Sequence, residues 1–308
     1  MAYLRLIRLP NLLIVVLTQY LLQYCILLPA FRAQSLQPAL DHLHFALFVL
    51  STLIIAAGGY IINDLEDIEI DRINKPERMV IGKVISEQAG RRGYYGLNAL
   101  GLALAIYLAI HVGQLGLALL FPAAVGLLWW YSVQLKRLPL WGNLTVAIFC
   151  AFVAGIVLFA ERSAFAQLQQ LSPERAAPIA QLFAAYLAFA LLSTLFRELI
   201  KDIEDRSGDQ QLDCRTLPIL IGIRWAKIVS FLLGCLLLLA VLYWSLRLWQ
   251  IQGWTQLGYT ALGIICPLCL SLWWLQKAER KADFSRLSLL AKYIMFSGIL
   301  YLILHSTQ

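Results

Sequence analysis

Asp64, Asp67 and Asp71 follow a long apolar segment at spacings that would place them on one face of a helix. At 100° per residue, Asp67 lies about 60° and Asp71 about 20° from Asp64 around the axis, with Asn63 at the edge of the stripe. Glu66 and Glu69 point elsewhere. Like charges about 6 Å apart repel by roughly 3 kcal/mol per pair at an effective dielectric near 20, a cost that a bound cation offsets. The stripe reads as a divalent-metal site. The same spacing, DxxDxxxD, returns at Asp202, Asp205 and Asp209. Asp209 is its weakest member, because a helix readily ends at a residue such as Gly208 and would swing Asp209 off the stripe.

Two such stripes suit roughly one to three Mg²⁺ ions, hard cations that take oxygen ligands and are often completed by substrate phosphates. Basic residues lie beside both. Arg72, Lys75 and Arg78 follow the first stripe, Arg197 and Lys201 precede the second, and Lys136 with Arg137 ends the fourth apolar run. Opposed charges in this number point to a diphosphate as the partner of both metal and cations. Tyr60, Trp129, Trp130, Tyr131, Phe189 and Phe196 fall near the same ends of the same runs. Their π faces could line an apolar tunnel and stabilise a cation, and Trp129 and Trp130 equally suit an interfacial aromatic belt.

The elements that carry these residues are membrane spans. Of 308 residues, 60% are hydrophobic and 14% charged, against roughly 25% charged in a soluble domain, and the mean hydropathy is +0.72. Nine apolar runs, near 10–29, 43–62, 93–111, 115–133, 140–160, 178–196, 225–247, 256–275 and 288–305, are each long enough to cross a hydrocarbon core about 30 Å thick as a helix. The strict alternation of a β-barrel is absent. The fold class expected is an all-α integral membrane protein, and residues 1–308 are read as one membrane domain. Arg5 and Arg8 before the first run resemble a signal peptide, but the run is long and no clean small-x-small site follows, so it reads as a retained span.

The formal charge of +7 belongs to topology rather than to nucleic-acid binding, since the basic residues lie in short loops between spans. With nine spans, 21 Lys and Arg fall on the side of the N-terminus and only Arg32, Arg162, Arg175 and Arg247 on the other. The positive-inside rule then places the N-terminus and the motif loops, about 63–92 and 197–224, in the cytoplasm of a cell or inner membrane, with the C-terminus outside. Because four spans separate the two motifs, both emerge on one face. That implies a parallel repeat of spans one to four in five to eight, with span nine added.

Other residue types carry less. Five of the six cysteines lie in apolar spans and Cys214 sits in a loop, so no disulfide framework is read; Cys266 and Cys269 form a CxxC that reads as small core residues beside a proline kink. His111 and His305 look interfacial, His42 and His44 precede the second span, and none is read as a ligand. The polar segment from Glu161 to Pro178 reads as a short surface helix. Two rival classes remain beside the enzyme. A cation-coupled transporter would hold its carboxylates near the bilayer midplane, whereas these begin at span ends, and an acidic scaffold would not need matched cations.

The string Asn63-Asp64-x-x-Asp67-x-x-x-Asp71 with Asn74-Lys75-Pro76-Glu77-Arg78, and Arg197-Glu198-x-x-Lys201-Asp202-x-x-Asp205-x-x-x-Asp209 with Thr216-Leu217-Pro218, resembles the UbiA superfamily of intramembrane prenyltransferases. Tyr131-Ser132-x-x-Leu135-Lys136-x-x-Pro139-Leu140-x-Gly142-Asn143 resembles its segment between spans four and five, and Arg8 and Asn11 match polar positions of its first helix more loosely. The resemblance implies a nine-helix bundle around a central cavity that opens to the bilayer. It implies Mg²⁺ held by the six aspartates on an isoprenyl diphosphate, with Asn63, Arg78, Lys136, Asn143, Arg197 and Lys201 contacting the diphosphate and Asn11, Tyr60 and Tyr131 lining the tunnel. Asp64, Asp67, Asp71, Asp202, Asp205 and Lys136 are the expected catalytic set.

Departure of diphosphate would leave an allylic carbocation, which the acceptor attacks in a water-poor site. The second motif most resembles the digeranylgeranylglyceryl phosphate synthase branch, whose donor is geranylgeranyl diphosphate and whose acceptor is the hydroxyl of a prenylglyceryl phosphate. Met79 departs from the family's proline after the first motif. An aromatic acceptor, of the quinone, tocopherol or chlorophyll type, is the alternative.

Overall fold

The computed structural model describes residues 2–74, 77, 79–211, 214–247 and 253–305. Among them, nine helices are long and apolar enough to cross a membrane, one over each apolar run of the sequence. In chain order the helices are α1 (Leu9–Arg32), α2 (His42–Glu66), α3 (Ile68–Asn74), α4 (Glu87–Val112), α5 (Leu115–Val133), α6 (Trp141–Ala160), α7 (Arg162–Leu171), α8 (Pro173–Gln211), α9 (Gly222–Arg247), α10 (Trp254–Lys277) and α11 (Lys281–His305). The short α3 and α7 are not spans. No strand occurs among the described residues, only an isolated bridge between Ile81 and Ile85. The chain is a multi-pass integral membrane protein.

Two corrections to the sequence reading concern the motifs. The first motif is not one helix: α2 stops at Glu66, Asp67 takes φ −101° and ψ 6°, and α3 restarts at Ile68. The second motif, expected to leave the helix at Gly208, stays helical to Gln211. The 39 residues of α8 are about twice what a hydrocarbon core requires, so α8 has length to carry Asp202–Asp209 past a span.

The chain divides into two compact units, one of residues up to Gln19, Pro38–Lys136 and Ala160–Ser163, the other of Tyr20–Gln37, Arg137–Phe159 and the chain from Ala164. The boundary at Lys136 falls between spans four and five, where the repeat reading divides the chain.

In the first unit, α2 and α4 make the most extensive helix pairing. Small residues allow it: a Cβ on Gly101 would stand 2.7 Å from Ile55 Cγ1 and one on Gly58 2.9 Å from Asn98 Nδ2. Ser51 Oγ also donates to the Gly101 carbonyl at 2.8 Å. Under the first motif, Leu6, Ile61, Ile62 and Leu65 pack with Val80, Ile81 and Ile85, which anchors the chain on both sides of the helix break. The fully buried Glu161 accepts from the amides of Ala39 (2.6 Å) and Leu40 (3.2 Å), fixing the approach to α2. At the start of α2, Asp41 accepts from the His44 amide at 2.9 Å. That bond, first, holds the Asp41 carboxyl below its usual range.

In the second unit, Phe196, Ile200 and Ile203 of α8 pack with Leu237, Leu268, Leu272 and Leu287 of α9, α10 and α11. Phe196 is wholly buried there against Gly234, so it is a packing residue rather than tunnel wall. A largely apolar cavity of about 80 Å³ lies in this unit, lined in part by Tyr186, Phe189, Trp244 and Tyr301. A π-helical turn, Ala261–Ile265, precedes Pro267, and another, Leu22–Leu27, precedes Pro29. Each widens the helix where the proline ring would meet a carbonyl one turn back. Of segment 161–178, expected as one short surface helix, only Arg162–Leu171 forms a separate helix, α7, with Ala164, Phe165 and Leu168 buried on one face, and the residues from Pro173 begin α8.

Candidate active site

The C-terminal end of α2 brings three polar groups to bear on the first motif. Asn63 Nδ2 donates to Asp67 Oδ2 at 2.9 Å, one helical turn away. Lys136, from a 3₁₀ turn of residues 135–137, donates to Asp67 Oδ1 at 2.7 Å, with only 11% and 18% of the two side chains exposed. Arg8 donates to Asp64 Oδ1 at 3.1 Å and lies 4.8 Å above the Tyr60 ring. Arg8 takes φ 52°, a left-handed backbone uncommon for a non-glycine residue, in the two-residue link between the helix Ala2–Leu6 and α1. The adjoining Asn11 Nδ2 donates weakly to Tyr60 Oη at 3.4 Å. Asp71 N bonds the Asp67 carbonyl at 2.7 Å, so the helical pattern resumes directly after the break.

The second motif has a different environment. Asn143, in the first turn of α6, donates to Asp202 Oδ2 at 2.8 Å. Arg197 is paired with its neighbour Glu198. Lys201, Asp205 and Asp209 lie on α8, partly buried. Arg197 Nε and Arg206 Nε are buried and have no hydrogen-bond partner among the described residues. Buried guanidinium donors left open in this way suit an anion. Of the other sequence candidates, Tyr131 is half-buried on α5, Trp129 and Trp130 are about half exposed, and Arg78 lies outside the described residues.

Comparison with known proteins places this geometry in a family. The UbiA prenyltransferase family model matches residues 24–297. The chain belongs to the UbiA prenyltransferase family. Among its relatives, the digeranylgeranylglyceryl phosphate synthase of Methanoculleus marisnigri is 38% identical over 61% of this chain and 61% of that protein. The synthase of Saccharolobus solfataricus is 35% identical over 63% of this chain and 64% of that protein. The match thus spans about three fifths of these relatives' length. A solved structure concerning digeranylgeranylglyceryl phosphate synthase in membranes has a TM-score of 0.68 at 24% identity, covering 99% of this chain and 97% of that one. A UbiA homologue from Archaeoglobus fulgidus, solved with DMAPP and Mg²⁺, has a TM-score of 0.55 at 16% identity, covering 98% and 99%. These two likenesses establish the shared fold.

Within this UbiA chain the donor sets fit Mg²⁺. Each motif offers three carboxylates and nothing softer. Sequence spacing found the carboxylates but not their partners. Lys136 and Asn143 were expected on the diphosphate, and the structure puts them on Asp67 and Asp202. Arg8 was only a loose match in the first helix, and nothing local signals its reach to Asp64, 56 residues away. Arg206, inside the second motif, carried no assignment.

Proposed function

We propose that this chain transfers an isoprenyl group from a polyprenyl diphosphate, first geranylgeranyl diphosphate, to the hydroxyl of geranylgeranylglyceryl phosphate in the membrane, in a Mg²⁺-dependent reaction. The observation that carries this reading is that two DxxDxxxD motifs each have a carboxylate held by a side chain from another element, Asp67 by Lys136 and Asp202 by Asn143. The relatives' name supplies the acceptor. Each motif would hold Mg²⁺, through Asp64, Asp67 and Asp71 in the first unit and Asp202, Asp205 and Asp209 in the second. Mg²⁺ supplies neutralisation of the charge that develops on the departing diphosphate.

The chain's own groups do the rest. Lys136 and Asn63 fix both oxygens of Asp67, so its carboxylate is oriented before substrate arrives. Arg197 and Arg206 offer buried Nε–H groups to phosphate oxygens, and Lys201 adds charge beside them. The C1–O bond of the donor breaks with its electron pair going to diphosphate. The acceptor oxygen then attacks the allylic cation and loses its proton, while apolar helix faces keep water away. The excess of basic residues on one side supports a cytoplasmic N-terminus and motif face. Labelling single-cysteine Cys214 protein with an impermeant maleimide in vesicles of known sidedness checks that orientation.

The deciding experiment is Mg²⁺-dependent diphosphate release by purified protein from geranylgeranyl diphosphate, with geranylgeranylglyceryl phosphate, 4-hydroxybenzoate, homogentisate or no acceptor. Release only with the prenylglyceryl phosphate is expected. Release with an aromatic acceptor instead would reassign the acceptor, and none with any acceptor across donor lengths would overturn prenyl transfer.

A further inference from the structure

At the opposite end of α2 from Asp64 the structure gathers a second set of ligating side chains. Asp41 stands just before α2, His44 is in its first turn, and His111 lies near the end of α4. Carboxylate oxygen and imidazole nitrogens, one from each of the three residues, lie within 4.8 Å of one another. The His44 and His111 rings stack with centroids 3.5 Å apart and planes 9° from parallel, which brings the two residues side by side at this end of α2. Tyr107, one turn before His111 on α4, bonds its hydroxyl to His44 Nε2 at 3.0 Å. That contact fixes the ring and leaves Nδ1 towards Asp41. His44 Nδ1 is buried and pairs with Asp41 Oδ2 at 2.9 Å.

We infer that Asp41, His44 and His111 form a binding site for a transition-metal dication of the zinc class, joining the N-terminus of α2 to the C-terminus of α4. Two imidazoles and one carboxylate with a water in the fourth position are an established tetrahedral set. Nitrogen and oxygen ligands about 2.0–2.2 Å from zinc stand roughly 3.4 Å apart, so His44 Nδ1 and Asp41 Oδ2, now 2.9 Å apart, must open slightly and His111 must turn out of its stack towards them. Asp41 and His111 are exposed and can turn to do so, while His44 is already held by Tyr107. The all-oxygen donors of the aspartate motifs favour magnesium, and the imidazoles here favour zinc, so the two sites differ in the ion they select. Nothing in this inference depends on the reaction proposed above. The α2 helix of 25 residues separates this site from Asp64 by about 33 Å at 1.5 Å per residue.

The test is a Zn²⁺ titration of full-length, chelator-stripped protein carrying no polyhistidine tag, read by competition with a chromophoric chelator in millimolar Mg²⁺. Wild type and the Asp67→Asn, Asp205→Asn double variant are expected to bind one Zn²⁺ equivalent. His111→Ala, a surface change, is expected to lose at least tenfold in affinity and to lose the Zn²⁺-induced rise in Tm, while its Tm without Zn²⁺ stays near wild type. Equal binding by wild type and His111→Ala, no binding by wild type, or loss of the equivalent in the aspartate variant would each overturn the site.

Discussion

The two aspartate motifs share a spacing and little else. The first straddles a helix break at Asp67, and its carboxylates are met by cations from far along the chain, Arg8 on Asp64 and Lys136 on Asp67. The second lies on one unbroken helix, its Asp202 is met by the neutral amide of Asn143, and Arg197, Lys201 and Arg206 belong to the same helix. An identical spacing therefore specifies which carboxylates can be neighbours, but the backbone beneath them and the charge that balances them come from elsewhere. Two carboxylates of the first motif meet cations from other elements, whereas Asp202 of the second meets a neutral amide.

The sharpest test of equivalence removes one carboxylate from each. Asp67→Asn and Asp205→Asn are both expected to lower diphosphate release by roughly 10³-fold or more, since each takes a ligand from a charged site. A large loss in one and near-normal turnover in the other would show that only one motif serves the reaction. Chelation of Mg²⁺ should abolish release in wild type and be reversed by adding it back.

Next in size is Lys136→Gln. Removing one partner of a mostly buried pair costs about 3–5 kcal/mol, so Tm should fall and kcat/KM should drop by about 100-fold, with partial recovery in Lys136→Arg. Arg8 is 44% exposed, and such pairs are worth about 0–1 kcal/mol. Arg8→Ala should leave Tm nearly unchanged. The contrast between motifs then appears in the Mg²⁺ dependence of initial rates. Freeing Asp64 of Arg8 should lower the half-saturating Mg²⁺ about threefold, because a competing cation is gone. Asn143→Ala should raise it about threefold or more, because Asp202 loses the group that orients it. Shifts of the same sign in both variants would erase the distinction.

The smallest effect concerns the helix itself. Gly208 is helical and lacks a positive φ, so Gly208→Ala should gain about 0.5–1 kcal/mol in helix stability. A small rise in Tm with retained turnover is the expected outcome. Loss of both would mean that the helix does end there, as the sequence alone suggested.

The nine spans were legible because crossing a hydrocarbon core demands about 20 apolar residues, a requirement that sequence displays directly. The carboxylates were legible because their repeat is local. The break at Asp67 was not, since neither Pro nor Gly marks it; it accompanies the packing of Ile61, Ile62 and Leu65 with Val80, Ile81 and Ile85. The helix through Gly208 was missed for the opposite reason. Ile200 and Ile203 are packed into the second unit's core just before it, and tertiary packing outweighs a glycine's cost of about 1 kcal/mol. His44 and His111 looked like isolated interfacial residues, and only the α2–α4 pairing stacks them.

By itself the sequence determined an all-helical membrane protein with two acidic motifs and a family resemblance, because hydropathy and short-range spacing depend on residues within a turn or a span of one another. The tertiary structure alone decided which carboxylate Lys136, Arg8 and Asn143 meet, where the first motif bends, and that two histidines 67 residues apart in the chain share a site with Asp41. Those pairings join residues separated by 56 to 69 positions or by whole spans, and no local pattern encodes a contact that forms only when the helices pack.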